Sequence, residues 1–343
     1  MPQPTLSFNS GRVDSRPGIF YNASENSPRI SMLKTPLVSA LLLALSAGGA
    51  IAAPPAFPAE EGPAIKIMTT VFPLAEITRA VAGARAEVGL ILPPGAEVHT
   101  WQPRFGDVRK LSSLDAFIYI GSGLEPWAGD LLRGAGRPAL RVLEIGRTLP
   151  LAPLAASDPD DHAHGREGAD PHVWLDPVLD QMIADRIADF LSALEPSGAA
   201  GFRDRADAFK SVLGGLDRDF QRSLSNCRSR TFIYCGHSAF AYLARRYGLE
   251  QVAVFGASPD AAPTPRELAS VIDKAKSAGV RTVFFEPGIG EKMARMIAAG
   301  AGADTRPLSA GHNLTPAETA AGRTFIDIMR TNLENLKHGL SCR

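Results

Sequence analysis

The chain predicts an α/β protein of two lobes, each a mainly parallel sheet covered by helices, joined by a long helical segment. Three observations carry this. Short β-rich runs alternate with amphipathic helical runs from Ala64 onward, which is the rhythm of βαβ units. A second stretch with the same rhythm begins past Cys227. Between them lies a long helical pattern with apolar positions at Ile183, Ile187, Phe190 and Leu191.

The elements follow in order. IKIMTTV reads as a strand, PLAEITRAVAG as a helix, AEVGLIL as a strand, GDVRKLSSL as a helix and DAFIYIG as a strand, before a further helix and the strand RVLEIG. Pro, Asp, Gly and His dominate residues 150 to 171, so this stretch is a loop. The helical segment starts after Asp176-Pro177, bends at Pro196-Ser197-Gly198 and runs to about Leu224. TFIYCG, QVAVFG and TVFFEP are the strands of the second lobe, with AFAYLARRYG, TPRELASVIDKAKSAG and EKMARMIAAGAG as its helices. The expected divisions are 1–52, 53–176, 177–224 and 225–343. No sequence repeat relates the two lobes.

Residues 1–52 read as an N-terminal extension and an export signal. Met32-Leu33-Lys34 precedes PLVSALLLALSAGGAIA, which supplies a positive start, an apolar core and small residues at Ala50 and Ala52. The apolar run is too short for a membrane span, and no cysteine stands nearby to accept a lipid. Cleavage is expected near Ala52, with Met32 as the candidate true start. Without residues 1–52, which hold four of the 36 basic and two of the 36 acidic side chains, 32 and 34 remain and the formal charge is −2. Such a balance gives no polybasic face for nucleic acid or anionic lipid.

The three cysteines fit an oxidising compartment. Cys235 lies inside the apolar run TFIYCG, so Cys227 with Cys342 is the expected disulfide, tying the C-terminus to the body.

Chemistry concentrates in three histidines. His99 in PPGAEVHTWQP, His172 in DPHVWLDP and His237 in FIYCGHSAFAY each stand at or after a strand end, or at the mouth of the long loop. Parallel sheets bind ligands at the carboxyl ends of their strands. Glu286, in VFFEPG, occupies an equivalent place, and a carboxylate there calls for a charged partner or a metal. Three imidazole nitrogens and one carboxylate oxygen match tetrahedral Zn²⁺. Asp170 and Asp176 are candidates to hold the second ring nitrogen of a ligand, and Trp101 and Trp174 to wall the site from water. In Asp158-Pro159-Asp160-Asp161-His162-Ala163-His164, His162 and His164 are candidate auxiliary ligands of low affinity.

The motifs PPGAEVH, DPHVWLDP, GHSAFAYLARRYGL and VFFEP, spread over the whole mature chain, resemble the zinc-type periplasmic solute-binding proteins of ABC metal importers. That resemblance implies two lobes bridged by one long rigid helix, the metal site between them, and His99, His172 and His237 as ligands. Many members place an aspartate where this chain reads Arg306-Pro307-Leu308-Ser309. Glu286 is therefore the expected fourth ligand, with His312 in SAGHNLT as the competing candidate. The implied protein is no enzyme: it is a periplasmic receptor, expected as a monomer, that captures Zn(II) and hands it to an ABC membrane permease. A manganese or iron receptor of the same family is the alternative, although related manganese receptors carry a carboxylate where His237 stands. An exported zinc hydrolase or a metal-binding adhesin are the more distant readings, and the chain has no HExxH pair for the former.

Overall fold

The structure is a computed structural model that describes residues 65–152, 169–254, 263–288 and 290–343. The export signal, His162 and His164 lie outside the described residues. Lobe one holds β1 (Ile65–Thr69), β2 (Ala86–Leu90), β3 (Ala116–Tyr119) and β4 (Arg141–Glu144). They form one parallel sheet in the order β2-β1-β3-β4. Its helices are α1 (Phe72–Ala82), α2 (Phe105–Leu111) and α3 (Ala128–Ala135).

Lobe two repeats the plan without repeating the sequence. Its strands β5 (Thr231–Cys235), β6 (Glu250–Ala253), β7 (Thr282–Phe285) and β8 (Asp304–Pro307) lie parallel in the order β6-β5-β7-β8. Around them stand α6 (Ala241–Tyr247), α7 (Pro265–Ser277), α8 (Glu291–Ala301), α9 (Pro316–Ala320) and α10 (Phe325–Gly339). In both sheets the chain steps to one side of its first strand and then crosses to the other. The crevice between β1 and β3, and that between β5 and β7, are thus the switch points where such sheets bind ligands.

The joining segment is two helices, α4 (Pro177–Leu194) and α5 (Ala199–Leu224), separated by a 3-10 turn over Pro196–Gly198. The bend expected at Pro196 is a full reversal. Lys210 on α5 pairs with Asp185 on α4 at 2.6 Å, nearly equidistant from the turn, so the helices run antiparallel. Both α4 and α5 pack on α1, and α5 goes on to pack against α6 and α10. The long connector is therefore α5, roughly 39 Å at 1.5 Å per residue, while α4 covers lobe one.

Three elements were not among those expected: β8, α9 and the C-terminal α10. β8 reads Asp-Thr-Arg-Pro, a polar edge strand without an apolar alternation, and a proline is tolerated there because an edge position needs no second ladder. α9 has five residues and begins at Thr315, whose hydroxyl accepts from the Glu318 amide in a capping box. Thr264 and Thr324 start α7 and α10 in the same way.

One large apolar core runs through both lobes, from Ile67 and Phe117 in the first sheet to Phe232 and Phe284 in the second, with α1, α4, α5 and α10 between. On β5 the alternation of a strand divides the work. Phe232 and Tyr234 face this core, and Ile233 and Cys235 face a smaller one under α7 and α8. Cys227 and Cys342 are joined in a disulfide, and Cys235 is a free, buried thiol.

Candidate metal centre

His237 stands two residues past the end of β5 and Glu286 one residue past β7, so the switch point of lobe two presents both. The two loops meet closely there. Glu286 N donates to Cys235 O at 3.3 Å, and a Cβ at Gly290 would lie 2.0 Å from that same carbonyl, which leaves glycine the one residue that fits. His99 comes from the loop after β2. His172 comes from the short segment that leads into α4, where Asp176 caps the helix by accepting from Val178 N at 2.9 Å.

The three imidazoles converge. One nitrogen from each of His99, His172 and His237 lies within 4.8 Å of the others, and among the described residues no other group of three potential ligands does so. Nε2 of His172 and Nε2 of His237 are 3.0 Å apart. Around a tetrahedral ion bonded at about 2.0–2.1 Å, neighbouring nitrogens stand about 3.3 Å apart, so the pair is already near that spacing. The three residues are 9%, 5% and 3% exposed, so an ion held among them would be nearly shut off from solvent.

Asp170 orients the central ring. Its Oδ1 accepts from His172 N at 2.9 Å and sits 2.8 Å from His172 Nδ1. The carboxylate can only accept when ionised, so the proton belongs on Nδ1 and the Nε2 lone pair points inward. Trp174 packs against the same ring and its indole donates to Ala310 O at 2.7 Å. Asp176, expected to help fix an imidazole, instead pairs with Arg246 of α6. Trp101 is half-buried, edge-on to Trp127.

Glu286 and His312 lie near the trio but outside that 4.8 Å circle. The Glu286 carboxylate accepts from the Tyr234 hydroxyl, from Ala310 N at 3.1 Å and, more weakly, from Ser309 Oγ at 3.5 Å. Burial pushes its pKa up to about 7, although those donors favour the ionised form. His312 Nε2 faces Glu97 Oε2 at 3.4 Å, and burial holds its pKa below the ordinary value against the pull of Glu97. Glu97, Glu286, Ser309 and His312 line one cavity of about 170 Å³.

Several contributors were not singled out in the sequence. Tyr234 sits mid-strand in an apolar run, with nothing to mark its hydroxyl as a donor to Glu286. Glu97, two residues before His99, accepts from the His99 amide at 3.2 Å. Tyr242 and Arg246 stand four residues apart on the helix that follows GHS, a spacing that marks one helix face and nothing of the metal site.

Comparison with known proteins places this geometry. A family described as "Zinc-uptake complex component A periplasmic" matches residues 67–339. The chain belongs to this family. It is 34% identical over 277 residues to the zinc-binding lipoprotein AdcA of Streptococcus pneumoniae, covering 80% of this chain and 55% of that protein. It therefore spans about half the length of that relative. With the high-affinity zinc uptake system protein ZnuA of Bacillus subtilis it shares 28% identity over 284 residues, 82% of this chain and 89% of that protein. Among solved structures, the Zn(II)-bound ZnuA-like domain of pneumococcal AdcA superposes with a TM-score of 0.69 at 32% identity, covering 81% of this chain and 99% of that domain. The laminin-binding protein Lmb of Streptococcus agalactiae, described as a bifunctional protein with adhesin and metal transporting activity, gives 0.70 at 31%, covering 80% of this chain and 99% of Lmb. Family members thus share the two parallel-sheet lobes described above.

Proposed function

We propose that this chain is a zinc receptor: exported to the periplasm, cleaved near Ala52, it binds Zn(II) as a monomer between its lobes and delivers the ion to an ABC membrane permease. The observation that carries the reading is the convergence of His99, His172 and His237 with one ring already oriented by Asp170. The names of the relatives point the same way, as proteins that bind or take up zinc. His237 contributes nitrogen where a harder oxygen would favour manganese, so zinc is the cargo.

In this proposal Glu286 is the fourth ligand. It stands at the β7 end, at the switch point that also presents His237, and binds the ion in its ionised form. His312 is engaged with Glu97 and stays outside the coordination sphere. Four protein donors leave no open position for a reacting water, so the site carries zinc and does no chemistry on it. His162 and His164 supply weak outer capture.

Metal analysis of the protein purified without added metal, followed by chelator competition, tests the reading. Stoichiometric zinc, lost in His237→Ala, is expected. Stoichiometric manganese without zinc would overturn the cargo, and unchanged zinc affinity in Glu286→Ala would overturn the fourth ligand.

A further inference from the structure

The segment carrying His172 follows lobe one in the chain, yet lobe two holds it. Tyr242 donates from its hydroxyl to Asp170 O at 2.9 Å, Arg246 pairs with Asp176, and Trp174 donates to Ala310 O at 2.7 Å. Tyr242 and Arg246 stand four residues apart on one face of α6, a helix that starts four residues after His237. One rigid element is therefore attached to both imidazoles that approach to 3.0 Å. Tyr242 grips the residue whose carboxylate orients the His172 ring. Arg246 grips the cap of α4 at the other end of the same segment.

Tyr242 is 1% exposed and its hydroxyl also accepts from Ala152 N at 3.0 Å, so its bond to Asp170 is not easily traded for water. The Arg246–Asp176 pair is half-buried: Asp176 is 4% exposed, while the Arg246 side chain keeps 27% of its surface in solvent. A pair of this kind gives little net stability. What it does give is a fixed register between two parts of the chain that share no sheet.

We propose that Tyr242 and Arg246 are positioning residues for the metal site: together they set the His172–His237 spacing. This rests on the zinc reading above and adds to it which residues outside the coordination sphere hold two of the ligands in register.

The test compares full-length Tyr242→Phe, Arg246→Met and Arg246→Lys with the parent chain. Zinc release is followed by a chelator chase, and ligand geometry by the visible absorption of the Co(II)-loaded protein. Tyr242→Phe and Arg246→Met are expected to release zinc about 10–100-fold faster, the range found for groups that orient metal ligands, with an altered Co(II) spectrum. Arg246→Lys should recover part of the loss. Parent-like release and spectra in both Tyr242→Phe and Arg246→Met would overturn the clamp and leave the receptor reading intact. A parent chain that binds neither Zn(II) nor Co(II) overturns both. Tyr242→Phe removes one oxygen from a packed ring, so it keeps the test decisive if Arg246→Met does not fold.

Discussion

An imidazole can bind a metal through one nitrogen only if the proton on the other is held somewhere, and for His172 that place is Asp170. Asp170→Asn keeps the shape and can offer an amide N–H where an acceptor is needed, so the inward-facing tautomer loses its support. Zinc affinity measured by chelator competition should fall about 10–100-fold, with the thermal midpoint of the metal-free protein little changed; an unaltered affinity would show that the 2.8 Å contact is incidental. At this scale the sequence was informative where chemistry is rare. Histidines flanked by Pro, Gly and Asp at strand ends stand out from a chain with seven in total. Tyr234, Tyr242 and Glu97 did not stand out, because a hydroxyl or carboxylate becomes a partner only when folding brings its acceptor or donor to it, and Asp176 was misplaced for the same reason.

Among elements, the direction of the strands decides what depends on what. Cys227 precedes β5, while His237 follows it, so the disulfide with Cys342 lies toward the amino end of β5, the opposite end of the strand from the metal site. The bridge closes a loop across 115 residues, and in the chain-entropy view a loop of that size contributes about 4–5 kcal/mol against the unfolded state. Cys342→Ser should therefore lower the denaturation midpoint clearly and fray the end of α10, with zinc affinity within about twofold of the parent. A large affinity loss in the folded variant would mean that α10 transmits strain to the site. The βα rhythm was legible from alternation and turn residues. The fold-back of α4 on α5 was not, since Pro196-Ser197-Gly198 marks a break without giving its angle, and β8 lacked any apolar period to find.

Over the whole molecule, three buried acids make the stability of the metal-free chain depend on pH. Burial pushes Glu125 and Glu286 up to about 7, and holds Asp180, whose carboxylate has no hydrogen-bond partner among the described residues, well above its ordinary range with the help of nearby Asp176. The folded chain thus holds protons that the unfolded chain releases from about pH 4 to 5. Their contribution is complete below that range and is lost as pH rises toward 7. His312, lowered by burial, works in the opposite sense below its ordinary value of 6.5, but it is one group against three. Denaturant unfolding of the metal-free protein should accordingly show stability falling between pH 5 and 7.5, with a shallower fall in Asp180→Asn and in Glu125→Gln. With the proposed ligand set, zinc is expected to reverse the slope: binding would need neutral imidazoles and an ionised Glu286, so the ion's stabilising effect would grow over the same interval. A metal-free chain whose stability rises from pH 5 to 7.5 would refute the assignment of these acids as protonated in the fold, because no other shifted group among the described residues titrates there with that sign.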